Sequence, residues 1–185
     1  WYPGQQGGKA VAEVLFGDYN PAGKLPVTFY RNVSQLPDFE DYNMTGRTYR
    51  YMQDVPLFPF GYGLSYTTFG YGKTVLDKNE LTAGQSLKLT VPVTNTGKRN
   101  GEEVVQVYLR KQGDAEGPIK TLRAFKRVSI PAGKTVNVEF DLKDKELEWW
   151  DDQSNTVRVC PGNYDIMVGG SSKEEDLQRT TIVIK

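Results

Sequence analysis

Leu87-Lys88-Leu89-Thr90-Val91-Pro92-Val93-Thr94 is the stretch on which the fold turns. Leu87, Leu89, Val91 and Val93 share one parity, and Lys88, Thr90 and Thr94 take the other. Successive side chains of a strand point to opposite faces, so the spacing predicts a strand with one face inward and one in water.

The same alternation recurs on both sides. Val105, Val107 and Leu109 follow the turn residues Asn95-Thr96-Gly97, and Val136, Val138, Phe140 and Leu142 follow Pro131-Ala132-Gly133-Lys134. Leu122 to Ile130 is a longer, less regular candidate. Glu148 to Asp151, Thr156 to Cys160, Tyr164 to Val168 and Thr180 to Ile184 complete the set. Roughly seven to eight strands are what a fibronectin-III-like or immunoglobulin-like β-sandwich requires. The expected sandwich runs from residue 71 to 185, with Leu89, Val91, Val107, Val138, Phe140 and Ile166 in its core.

Upstream the pattern differs. Gln6 to Phe16 carries apolar residues at 10, 11, 14 and 15, one helical face, and Gly17 stands where a left-handed C-cap falls. Asn20-Pro21-Ala22-Gly23 reads as a turn and Leu25 to Phe29 as a short strand, confined to an edge or a strand start by Pro26. Residues 1–30 thus form an incomplete α/β unit. Residues 31–70, rich in Pro, Gly and Tyr without sustained periodicity, read as a linker draped over its partners.

Composition removes several functions. Lys plus Arg and Asp plus Glu balance at 23 each, so no long-range field draws nucleic acid or an anionic membrane surface. There is no histidine and only one cysteine, Cys160, which excludes a His-based triad, a His-ligated metal and an internal disulfide. No apolar run reaches the roughly 20 residues of a membrane-spanning helix. The opening Trp1-Tyr2-Pro3-Gly4-Gln5 lacks the pattern of a signal peptide and reads as a chain entered in mid-domain. No cofactor follows from any residue.

Three ordered motifs carry a resemblance. They are Pro3-Gly4-Gln5-Gln6-Gly7-Gly8 with Ala10 to Gly17, then Asn20 to Thr28, then Phe58-Pro59-Phe60-Gly61-Tyr62-Gly63-Leu64-Ser65-Tyr66-Thr67-Thr68-Phe69. Together they resemble the C-terminal end of family 3 glycoside hydrolases, of β-glucosidase or β-xylosidase type, over essentially the whole chain. The resemblance implies a mainly β fold: a fibronectin-III-like sandwich preceded by the end of an α/β sandwich domain and a long linker. It also implies a retaining enzyme whose Asp nucleophile and Glu acid/base lie on upstream domains, and a periplasmic or secreted parent. No catalytic residue is expected in this chain, because a retaining pair needs carboxyl groups about 5 to 5.5 Å apart and no carboxylate here matches a catalytic motif of the family.

Arg47, Tyr49, Arg50 and Tyr51 are the candidates for a substrate rim or a domain interface, since Arg and Tyr can bracket a sugar or anchor a neighbouring domain. Gly46-Arg47-Thr48-Tyr49-Arg50-Tyr51 resembles the xylosidase branch, which implies xylosides. Asp38-Phe39-Glu40-Asp41 reads as a solvated loop rather than an acid/base pair. Of Trp149 and Trp150, adjacent in a strand, one is expected in the core and the other partly exposed. Asn32-Val33-Ser34 and Asn43-Met44-Thr45 match the glycosylation sequon, and Cys160 is expected to be a buried, inert thiol. The partners implied are upstream catalytic domains of the same polypeptide and, through them, a carbohydrate substrate; self-association of the chain is a further expectation. The rival reading is a non-catalytic sandwich module that binds carbohydrate or protein through exposed aromatics.

Overall fold

The strands that open at Leu87 and Thr135 begin where apolar alternation begins. The computed structural model describes residues 2–185; Trp1, the first residue of the 1–30 segment, lies outside the described residues. In chain order the elements are α1 (Gly7–Leu15), α2 (Thr48–Tyr51), β1 (Phe69–Tyr71), β2 (Val75–Leu76), β3 (Glu80–Leu81), β4 (Leu87–Asn95), β5 (Gly101–Lys111), β6 (Thr121–Ile130), β7 (Thr135–Leu142), α3 (Asp144–Leu147), β8 (Trp149–Asp151), β9 (Thr156–Arg158), β10 (Gly162–Gly169) and β11 (Gln178–Ile184). Two sheets face one another. In one, β4 pairs with β7 on one side and with β1 and β2 on the other; the second has the order β3-β11-β10-β5-β6.

Register matches apolar residues across the ladder. Leu89 stands opposite Phe140 and Val91 opposite Val138, so both strands turn the same parity inward. These side chains meet Val105, Val107 and Leu109 of β5 and Tyr164, Ile166 and Val168 of β10 in one buried core. Burying each such aliphatic side chain stabilises the fold by about 1.5–3 kcal/mol. Pro92 lies in the middle of β4 at no cost to the ladder. Its carbonyl accepts from Gly72 N–H, so its missing N–H faces the break between β1 and β2, where no strand is paired.

Several expectations need correction. Leu25 to Phe29 is not a strand but makes only an isolated bridge, Phe29 to Phe58. Leu25 bonds to residues 61 and 62 and Phe29 to residues 57 and 58, with no backbone bond from residues 26–28 between them, so the pairing is not continuous enough for a strand. The runs near 149 and 156 pair only with each other, as a separate hairpin outside both sheets. The two- and three-residue strands β1, β2 and β3 were not expected, because elements so short show no periodicity.

The irregular segment before β1 covers the outer face of the five-stranded sheet. As a result β5 is buried on both faces, with Gln106 and Tyr108 pointing away from the sandwich core yet shielded from water. Phe60 accepts Ser172 N–H at 2.8 Å, and the Tyr19 hydroxyl accepts from Arg127 at 3.1 Å. Helix α1 closes at Gly17, whose φ of 79° is the left-handed value a C-cap glycine supplies. Val11, Leu15 and Phe16 on and just after this helix remain exposed.

Candidate functional site

Arg47 serves its own loop. Its Nε donates to the Asn43 carbonyl at 2.9 Å, and an Nη reaches the carbonyls of Asp41 and Asp38. The acidic cluster is tied up in the same loop: Asp38 accepts Glu40 N–H, and Asp41 accepts the backbone and side-chain N–H groups of Asn43. Those bonds from Asn43 hold the Asp41 carboxyl below the usual range. A general acid needs the opposite shift, so Asp41 is a structural acceptor. A turn through Gly46 and Thr48, both at positive φ, then delivers the next residues to the sandwich.

Tyr49 docks there. Its ring stacks on Phe60 with centroids 4.5 Å apart and meets Tyr108 edge-on at 5.7 Å, while its hydroxyl accepts Leu122 N–H at 3.0 Å. The Arg50 carbonyl accepts Ile119 N–H at 2.6 Å, and its guanidinium lies 5.5 Å above the half-buried Tyr51 ring. Tyr49 and Arg50 are therefore held against the start of β6, whereas Arg47 is not.

A second polar cluster was missed in the sequence. Glu103 is buried at the end of the inward-facing row of β5, with Lys24 Nζ at 3.2 Å and the Tyr71 hydroxyl donating to it at 2.9 Å. Burial raises its carboxyl pKa; Lys24, then the Tyr71 and Lys24 hydrogen bonds, oppose the shift. Parity was the available signal, since Glu103 shares it with Val105 and Val107. Lys24 and Tyr71 carried none, being 79 and 32 residues distant.

Two family models match this arrangement: Glycosyl hydrolase family 3 C-terminal domain over residues 1–66 and Fibronectin type III-like domain over residues 103–172. The xylan 1,4-beta-xylosidase of Xylanibacter ruminicola is 55% identical over 184 residues, covering 100% of this chain and 21% of its own length. The chain belongs to glycoside hydrolase family 3, as a C-terminal portion of it.

Other members are similar along the same length. The periplasmic beta-glucosidase of Salmonella typhimurium is 38% identical over 93% of this chain and 24% of its own. A solved β-glucosidase from Erythrobacter marinus superposes with a TM-score of 0.84 at 42% identity, covering 100% of this chain and 24% of that one. The chain thus spans about a quarter of the length of the family 3 relatives it matches.

The remaining sequence candidates occupy ordinary positions in this family 3 portion. Trp149 is buried, with its indole N–H donating to Asp114 at 2.6 Å, and Trp150 is exposed. Cys160 is buried beside the Trp149 carbonyl. Asn32 and Asn43, the sequon residues, are exposed; Asn32 accepts Ser34 N–H and Asn43 donates to Asp41. Among the described residues no three His, Cys, Asp or Glu side chains gather to hold a metal, and no helix is long and apolar enough to cross a membrane.

Proposed function

We propose that this chain is the structural C-terminal part of a retaining β-glycosidase that removes terminal β-linked sugars, with β-xylosides or β-glucosides as substrates. Its nucleophile and acid/base belong to upstream domains of the same polypeptide. In this reading residues 1–30 finish an α/β sandwich domain, 31–70 link it to the sandwich, and 71–185 form the fibronectin-III-like domain. Of the string Arg47, Tyr49, Arg50 and Tyr51, Tyr49 and Arg50 act as an interface anchor, and Arg47 and Tyr51 are left as candidates for the substrate rim.

The observation that carries this reading is the docking of Tyr49 and Phe60 on the outer face of the five-stranded sheet while Val11, Leu15, Phe16 and Phe39 stay exposed. One side of the N-terminal segment is satisfied by the sandwich. The other presents apolar side chains that suit further domains, or a second copy of the chain. The similarity to a xylan 1,4-beta-xylosidase and to a periplasmic beta-glucosidase supports the substrate class and a periplasmic or secreted location.

Nitrophenyl β-xyloside and β-glucoside assays test the proposal. The purified 185-residue chain is expected to show no turnover. Activity that is lost on Asp38→Ala or Glu40→Ala would place a catalytic carboxylate here and overturn it. The second reading, a carbohydrate-binding module, rests on Trp150, whose exposed ring is held by its N–H to Asp152 at 2.8 Å. Xylan binding lost in Trp150→Ala would favour that reading.

A further inference from the structure

We propose that Arg50 and Arg123 together form a binding site for a carboxylate. The docking of residues 49–50 onto the start of β6 brings them together: Ile119 and Leu122 donate their N–H groups to the Arg50 carbonyl and the Tyr49 hydroxyl. Arg123 is the extra residue of a β-bulge, because Val107 pairs with Ala124 and Tyr108 with Leu122, leaving position 123 unopposed. Bulges of this kind re-aim a side chain. The Arg123 guanidinium lies 5.6 Å over the Trp149 ring, and one Nη donates to the Glu148 carbonyl at 2.5 Å.

What the junction lacks is an ion pair: Glu148 acts on Arg123 only from beyond salt-bridge distance. Among the described residues every arginine in an ion pair is another one: Arg127, Arg158 and Arg179. Among the described residues, three of the four buried side-chain polar atoms without a hydrogen-bond partner belong to this junction, namely Arg50 Nε, Arg123 Nε and Thr121 Oγ1. Burial and then the Arg50 charge push the Arg123 guanidinium below its usual value, and Tyr49, Glu148 and Tyr164 offset only part of that. Two half-buried like charges are unfavourable unless an opposite charge joins them. A planar carboxylate matches the N–H forks of both guanidiniums and neutralises what a neutral sugar hydroxyl cannot.

The carboxylate can come from an acidic sugar or from an Asp or Glu side chain elsewhere in the polypeptide. The site stands on this junction alone and does not depend on which glycoside the parent enzyme cleaves. Its test is a titration of the 185-residue chain, with arginine Nε–H resonances followed by NMR. The probes are sodium acetate and sodium D-glucuronate, with sodium chloride and D-glucose as controls.

Saturable shifts at Arg50 and Arg123 are expected with both carboxylates and with neither control. Arg50→Met and Arg50→Lys are expected to weaken acetate at least about tenfold, the lysine variant because it keeps the charge and loses the fork. Arg123→Met loses packing over Trp149 and can unfold the chain, so the Arg50 variants decide. Glucuronate bound about tenfold or more tighter than acetate assigns an acidic sugar; equal affinities assign a side-chain carboxylate. Absence of saturable shifts, shifts reproduced by chloride, or unchanged acetate affinity in Arg50→Met overturns the proposal.

Discussion

Gly61 and Gln106 are in such close contact that no side chain fits between them. A Cβ on Gly61 would stand 2.5 Å from Gln106 Oε1. Gln106 cannot retreat, because its Nε2 donates to the Gly170 carbonyl at 2.6 Å and its Oε1 accepts the Tyr108 hydroxyl at 2.5 Å. Gly61 itself sits at φ 81°, where a side chain is strained in any case.

Gly61→Ala is therefore expected to cost about 1–3 kcal/mol and to loosen the docked segment before the sandwich core. Thermal unfolding measures the first effect. The second appears as faster proteolysis upstream of residue 61, and an Ala variant as resistant as the parent would show that the contact does not hold the segment.

The inward parity of β4 and β7 predicts a matched pair of costly truncations. Leu89→Ala and Phe140→Ala are expected to destabilise by about 2–5 kcal/mol, while Lys88→Ala on the outward face stays within about 0.5 kcal/mol. Urea unfolding of the three variants checks this. A Lys88 cost equal to that of Leu89 would mean that the faces are reversed.

Glu103 predicts a pH dependence of definite sign. Its folded carboxyl pKa is raised, with burial as the main cause, above the 4.5 of an unperturbed glutamate. The folded state then holds the proton more tightly than the unfolded one. Its contribution to stability is present below the unfolded value and is lost as pH rises through the folded one. Denaturant unfolding between about pH 4 and pH 7 is expected to show this falling component in the parent chain and not in Glu103→Gln. The same slope in both proteins would remove Glu103 as its source.

Chymotrypsin is expected to cut first in the loop that carries Phe39 and Tyr42, which are 94% and 91% exposed. Mass spectrometry is expected to find a stable fragment that begins between these residues and α2 and runs to the C-terminus. First cleavage inside β4 to β7 would reverse the order of stability along the chain.

The strands with the longest apolar alternation were legible because local periodicity and burial agree there. Leu89, Val91, Val107, Val138, Phe140 and Ile166 are all buried, as their spacing predicts. The irregular reading of Leu122 to Ile130 has its physical source in the bulge at Arg123. Trp149 and Trp150 divide between core and solvent as neighbours in a strand must. At the candidate site the residue types were legible and their roles were not. Arg47 and Arg50 are three positions apart in the sequence, yet one ties its own loop and the other meets the edge of β6.

By itself the sequence determined the mainly β class, the family and the inward face of β4, β5, β7 and β10, because these depend on residue order over a few positions. Tertiary structure alone decided that the outward residues Gln106 and Tyr108 are also buried, that Glu103 meets Lys24 and Tyr71, and that Arg50 comes beside Arg123. Each of those contacts joins segments separated by about 30 residues or more. No local pattern encodes such a meeting; it follows from where the segment before β1 finds apolar surface to cover on the five-stranded sheet.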